Sequence, residues 1–264
     1  MRIRFKGAHI VDPGRVNERK DLVVRDGLVE TLVDPSVPEE DPDTGIVDVT
    51  GMTLVPGLID LHVHLREPGA EYKETIETGL KAAVRGGFTA VCPMPNTDPV
   101  NDNAQVTQFL INRAGELGLC RVYPVGAITE GLKGTGLAEH GEMKTAGIAA
   151  ISDDGNPVED SRLMRRAMEY AGSLGLLVIS HSEDRALSRF GAMNEGAVAT
   201  GLGIKGIPNA AESAFVMREL ALAELTDTPI HIAHVSCRES VEVIRNAKKR
   251  GVKVTCETAP TISH

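Results

Sequence analysis

Seven short apolar runs, each followed by a stretch of helical pattern, recur between residues 54 and 256 at intervals of roughly 25 to 50 residues, and this alternation leaves few folds open. Strand and helix in regular succession make parallel strands joined by helical crossovers. The strands are expected at Leu54–Asp60, Thr89–Met94, Arg121–Ala127, Ile148–Ser152, Leu176–Ser180, Pro229–Ala233 and Val252–Cys256. Helices are expected at Glu71–Arg85, Ala104–Leu117, Asp160–Ser173, Ala210–Leu225 and Arg238–Lys249, with a shorter one over Leu137–Thr145. Gly86, Gly118, Gly175 and Gly251 stand where a left-handed residue would end four of them. No short repeat is present, which argues against a solenoid.

Residues 1–52 differ in kind. Short strand-like pieces, Met1–Lys6, His9–Val11, Leu22–Val24 and Leu28–Val33, alternate with breakers at Asp12-Pro13-Gly14, Asp26-Gly27 and the acidic stretch 34–44. They read as a small β module ahead of an α/β domain over 53–264. At 264 residues the chain can bury a sizeable core, and its formal net charge of -9 argues against a nucleic-acid or anionic-membrane surface. No apolar stretch approaches the roughly 20 residues of a membrane span, and Met1-Arg2-Ile3-Arg4-Phe5 lacks the apolar run of a secretory signal. A cytoplasmic protein with small-molecule or protein partners is expected. Cys92, Cys120, Cys237 and Cys256 are widely spaced with no C-x-x-C pair, and are expected as reduced, buried thiols.

Seven parallel strands fit an open doubly wound sheet or most of a (β/α)₈ barrel, and the distribution of polar residues separates the two. Just after the strands come His62 and His64 (first), Pro95-Asn96-Thr97 (second), Asp153-Asp154-Gly155 (fourth), His181 (fifth) and His234 (sixth). Contributions from so many strand ends favour the barrel. His62 and His64, one residue apart in Asp60-Leu61-His62-Val63-His64-Leu65-Arg66, project to one side of a strand and can grip one metal ion. Singly, each histidine is equally well read as an ordinary polar core residue. Jointly, four of the eight histidines and an acidic pair at one end of the sheet point to metal. Nitrogen ligands with a carboxylate suit Zn²⁺, and one carboxylate between two histidine groups can bridge two ions. Asp153 and Asp154 are adjacent and point opposite ways on an extended chain, so one of them enters the site, and the residues alone do not choose. His9, His140, His231 and His264 are read as structural or surface.

The stretch Asp60–Gly69 (DLHVHLREPG), Pro93-Met94-Pro95-Asn96-Thr97 and Ser152-Asp153-Asp154-Gly155 closely resemble motifs of the dihydroorotases of the amidohydrolase superfamily, and more narrowly of the class I type. The resemblance covers nearly the whole chain. It implies a (β/α)₈ TIM-type barrel with an amidohydrolase β-sandwich, to which residues 1–52 contribute. The implied reaction is the reversible interconversion of N-carbamoyl-L-aspartate and L-dihydroorotate in de novo pyrimidine biosynthesis, with a metal-held hydroxide as nucleophile. By motif position, the resemblance implies His62, His64, Asp154, His181 and His234 as ligands of one or two zinc ions, with Asp154 bridging if there are two. Arg66 and Asn96 match the residues that hold the substrate carboxylate, and a planar guanidinium fork suits that task. The segment Gly201–Glu212 looks like a family loop near the site.

Two alternatives accompany this reading. Hydantoinase- or allantoinase-like cyclic amidases are disfavoured, because those families place a carbamylated lysine where Asp154 stands. A non-catalytic dihydroorotase-like subunit partnering aspartate transcarbamoylase is disfavoured by the four retained histidines; a homodimer is compatible with any of these. The family's proton-shuttling aspartate and a substrate-binding histidine follow the eighth strand, beyond His264, so no catalytic acid–base residue is expected within the chain. The expectation is a barrel lacking its last strand, a piece of a longer enzyme rather than a short homologue, able to bind metal but poor in turnover as it stands.

Overall fold

A computed structural model describes residues 1–259, which divide into two compact units at the boundary between Leu58 and Ile59. His264 and the residues after Ala259 fall outside the described part.

The first unit is all β. One sheet orders Leu28–Val33, Asp21–Arg25, Arg2–Lys6 and Gly45–Asp48; a second orders Val16–Arg19, His9–Asp12 and Thr53–Leu54. Val16–Arg19 and Gly45–Asp48 escape a hydrophobicity-based reading because neither is buried at any position. The sheet is pinned by a buried ion pair. Arg4 Nε donates to Asp21 Oδ2 at 2.9 Å, and the other carboxylate oxygen accepts from Gly7 N at 2.8 Å. A buried charge of this kind is tolerable only when paired and hydrogen-bonded.

Apart from the short pair Met193–Asn194 and Gly206–Ile207, the described part of the second unit carries seven strands in sequential order: Leu58–Val63, Phe88–Pro93, a third in two pieces (Arg121–Val122 and Val125–Gly126), Ala150–Ser152, Leu177–Ser180, Ile230–Ile232 and Val254–Cys256. From the second strand onward the registers are parallel, as in Ile151↔Val178, Ile179↔His231 and Ile232↔Cys256. The third strand is broken at Tyr123-Pro124. Its first half pairs with the second strand and its second half with the fourth, so it joins two hydrogen-bonded ladders. Proline has no N–H to give a ladder, and the Pro124 carbonyl instead accepts from Ala149 N at 2.9 Å. Among the described residues no ladder links the seventh strand to the first.

The first strand departs from expectation. Thr53–Leu54 pairs with His9–Ile10 in the first unit, and the strand that leads to the histidines begins only at Leu58. Pro56-Gly57 separates the two segments, as a residue without a donor followed by one without a side chain should. His62 therefore sits inside the strand and His64 just beyond it. The helix expected from Glu71 starts at Ile76, where Thr75 and Thr78 form a reciprocal cap.

Both faces are buried along the fourth, fifth and sixth strands, whereas the first strand is largely exposed. Ile151, Val178, Ile230 and Ile232 pack with Met164, Met168 and Ala171 of one helix (Ser161–Leu174) and with Val216 and Leu220 of another (Ala210–Thr226). The alternate positions Cys92, Val125, Ala150 and Ile179 join Met94 and Ala233 in a separate cluster. Period-2 alternation with apolar residues on both sides marks a central parallel sheet. Gly118, Gly175 and Gly251 end their helices in the left-handed region, whereas Gly86 stays right-handed and Gly87 takes the positive φ. All four cysteines are free; Cys92 and Cys237 are buried, Cys120 is half-buried, and Cys256 is exposed, contrary to expectation. Cys256 lies on the last described strand, whose outer edge has no described neighbour.

Candidate metal centre

Strand geometry delivers five side chains to one point. His62 ends the first strand's alternation and His64 follows two residues later; Asp154 follows the fourth strand, His181 the fifth and His234 the sixth. Their ligating atoms form two groups, His62–His64–Asp154 and Asp154–His181–His234, each with all donor atoms within 4.8 Å of one another. Asp154 belongs to both. Its Oδ1 lies 3.3 Å from His62 Nε2, 3.5 Å from His181 Nδ1 and 3.7 Å from His234 Nε2, while its Oδ2 lies 3.5 Å from His64 Nε2. His234 adopts φ 39, a strained conformation for a residue with a side chain, of the kind found where function fixes the backbone.

The neighbouring Asp153 turns away. Its Oδ1 accepts from Ile128 N at 2.8 Å and Thr129 N at 3.0 Å, and its Oδ2 accepts from the Thr129 hydroxyl. Burial pushes its carboxyl up to about 6, only partly countered by those donors. Adjacent carboxylates on extended backbone thus divide their work: Asp154 faces the histidines and Asp153 fastens the end of the third strand to the fourth.

Outward hydrogen bonds aim three of the imidazoles. A carboxylate or amide oxygen can only accept, so His62 Nδ1 donates to Glu257 Oε1 at 2.9 Å and His64 Nδ1 donates to Asn96 Oδ1 at 2.9 Å. His181 Nε2 likewise donates to Glu183 Oε2 at 3.2 Å. In each case the other ring nitrogen is left facing Asp154, the arrangement by which outer partners fix metal-binding histidines. Asn96 also donates from Nδ2 to Asp154 Oδ2 at 3.2 Å.

The charges reinforce this geometry. Burial opposes ionisation of Asp154, yet hydrogen bonds with His181, His234 and His62 hold its carboxyl far below the usual carboxylate range. Burial also works against a charged His62, but Asp154 and Glu257 outweigh it and push the imidazole up to about 9. Glu257 is correspondingly held down at about 2, against its own burial, by His231 and His62. His64 goes the other way: burial lowers it despite its bond to Asn96. An anionic centre ringed by nitrogen donors suits a divalent cation, which would replace the imidazole protons as countercharge. The donor set fits zinc chemistry, and the twofold use of one carboxylate accommodates two ions.

The model of the dihydro-orotase-like family matches residues 51–240. The chain belongs to that family. It is 72% identical over 260 residues to a dihydroorotase of Desulforapulum autotrophicum and 54% identical over 261 residues to a dihydroorotase of Geobacter sulfurreducens, in each case covering 98% of this chain. The chain spans 61% of the length of both relatives. Among solved structures it is similar to an L-hydantoinase from Arthrobacter aurescens, with a TM-score of 0.82 at 21% identity over 98% of this chain and 58% of that one. A D-hydantoinase from Thermus sp. superposes at 0.73 with 24% identity, covering 97% of this chain and 57% of that one. These likenesses establish an α/β fold shared with the hydantoinases, and family and donor geometry together imply a metal cofactor.

Arg66 adopts φ 61, and its guanidinium has no hydrogen bond or ion pair among the described residues. The segment Gly201–Glu212 contributes Ile207, Pro208, Asn209, Ala211 and Glu212 to a cleft of about 280 Å³ that His234 also lines. Two residues at the site escaped the sequence reading, Glu257 and Glu183. The rule that selected the other candidates, the first residue past a strand, would have found Glu257 had it been applied to the seventh strand. Glu183, two residues beyond His181, carries no such signal. His231, read as structural, is buried beside Glu257 with its Nε2 3.6 Å from Oε2.

Proposed function

We propose that the protein is a zinc-dependent cyclic amidohydrolase that interconverts N-carbamoyl-L-aspartate and L-dihydroorotate in pyrimidine synthesis. The observation that carries this reading is the meeting of four histidines and Asp154 in a chain 72% identical to a dihydroorotase. Zinc, when bound, lowers the pKa of water toward neutrality and polarises an amide carbonyl. His62, His64, His181 and His234 hold the ions, and Asp154 joins the two groups.

Arg66 offers a planar fork, without a hydrogen bond or ion pair among the described residues, to the substrate carboxylate, beside the ligands that precede it on the same segment. Asn96 assists. An amide nitrogen carries two hydrogens, and with one given to Asp154 the second is directed to the carboxylate. The proton shuttle is assigned to no described residue of this chain.

The seven-stranded sheet is read as most of a (β/α)₈ barrel and residues 1–52 as part of a β-sandwich, which the likeness to hydantoinases supports. A homodimeric cytoplasmic enzyme acting on a small molecule is the corresponding picture. The test is zinc content together with hydrolysis of dihydroorotate by the full-length protein. Turnover that depends on zinc is the expected result. Metal-loaded protein that ignores dihydroorotate but opens hydantoin or allantoin would overturn the assignment.

A further inference from the structure

Glu257 reaches across the widest sequence interval at the site. It follows the seventh strand, yet its Oε1 accepts from His62 Nδ1 on the first strand, at 2.9 Å, although no backbone ladder joins those strands among the described residues. Its second oxygen faces His231 Nε2 at 3.6 Å, and His231 Nδ1 is held by the Thr255 hydroxyl at 2.8 Å. His231 is buried, and its Nε2 has no hydrogen-bond partner closer than that carboxylate. Thr255 sits opposite His231 in the register of the sixth and seventh strands. Thr255 and His231 are thus hydrogen-bonded across neighbouring strands, and His231 Nε2 lies within ion-pair distance of the carboxylate that bonds His62.

We propose that Glu257, with His231 beside it, is a positioning residue of the metal centre: it fixes the tautomer and ring orientation of His62 so that Nε2 faces the cation. The proposal rests on the metal reading above. Two alternatives weaken on the geometry. A staple that merely joined strand edges would gain nothing from ending on a ring nitrogen of a candidate ligand. A carboxylate that ligated the metal itself would face the site, whereas Glu257 stands behind the imidazole, on the nitrogen opposite Asp154.

The measurement is zinc affinity by chelator competition in the full-length protein, read beside thermal stability. Glu257→Gln preserves shape and one acceptor but removes the anion; it should keep the melting temperature of the metal-free protein while weakening zinc binding by about 10- to 100-fold. Glu257→Asp, which retains the charge on a shorter stem, should recover part of the loss. His231→Gln should weaken binding by a smaller factor, since it acts through Glu257. Nitrogen-15 shifts of His62 in the metal-free protein, recorded at a pH where the ring is neutral, should report a proton on Nδ1 in the wild type and a mixture of tautomers in Glu257→Gln. Wild-type zinc affinity in Glu257→Gln, alongside weakened binding in His62→Ala, would overturn the proposal and leave the metal site standing. Undiminished affinity in His62→Ala would overturn both.

Discussion

The Nδ1 atom of His181 and the Nε2 atom of His234 face each other at 2.9 Å, with Asp154 Oδ1 3.5 Å from the first and 3.7 Å from the second. Two imidazole lone pairs at that distance repel unless a proton or a cation lies between them. The same three atoms can thus be held by a shared proton or by a metal ion, and the two compete.

Zinc uptake should accordingly release protons and weaken on acidification. Calorimetry in buffers of different ionisation enthalpy should reveal the release. Asp154→Asn should cost more than roughly 100-fold in affinity, beyond the effect usual for an outer partner, because Asp154 serves both groups. His64→Ala and His234→Ala, one from each group, should each reduce zinc per chain without abolishing it, as measured by elemental analysis.

Arg66 has no side-chain hydrogen bond or ion pair among the described residues. Arg66→Lys keeps the charge but loses the fork, and should raise KM for dihydroorotate by about 10-fold or more with little change in zinc content. Steady-state kinetics of the full-length enzyme, paired with metal analysis, decides this; a fall in kcat alone would assign Arg66 another task.

Gly69 holds the loop after Arg66 against the loop after Asn96. A Cβ there would lie 2.1 Å from the Asp98 carbonyl oxygen, at φ +98, and Asp98 N donates to the Pro68 carbonyl at 3.0 Å. Gly69→Ala should destabilise the fold by roughly 2 kcal/mol or more and raise KM by displacing Arg66 and Asn96 together. Thermal melts and substrate titration test the two halves separately.

Glu219 lies wholly buried on the helix Ala210–Thr226, and among the described residues only Arg218 donates to it and Oε2 is unpartnered. Burial pushes its carboxyl up to about 7, partly offset by Arg218. Because the folded state holds the proton more tightly than the unfolded chain, this residue costs stability progressively as pH rises from the ordinary glutamate range through about 7. Glu219→Gln should therefore stabilise by on the order of 2 kcal/mol above pH 7 and by little near pH 4.5. Melting temperatures across that range check the sign. A constant difference between the variants at every pH would refute it.

Much of this was written in the sequence. Alternation of apolar runs and helical stretches located the later strands to within a residue or two, because a strand buried on both faces has no choice of composition. The first strand was misplaced, since Thr53–Leu54 and Leu58–Val63 are equally apolar and only Pro56-Gly57 between them tells where one sheet yields to another. Met193–Asn194 and Gly206–Ile207, a two-residue ladder between short helices, left no periodicity to read. The site candidates emerged because parallel strands place their end residues together. What single positions could not convey was how the outward nitrogens are occupied: Asn96 bonds both His64 and Asp154, a pairing set by loops rather than by pattern.

The bond between His62 and Glu257 spans 195 positions. A ribosome delivers those residues in order, at about 5 to 20 per second, so the first histidine emerges many seconds before its distant carboxylate partner does. Until then its ring is free to turn and to bind whatever metal the nascent chain meets. Selective loading of the centre is thus tied to the arrival of the seventh strand, whose carboxylate sets a ligand made long before it.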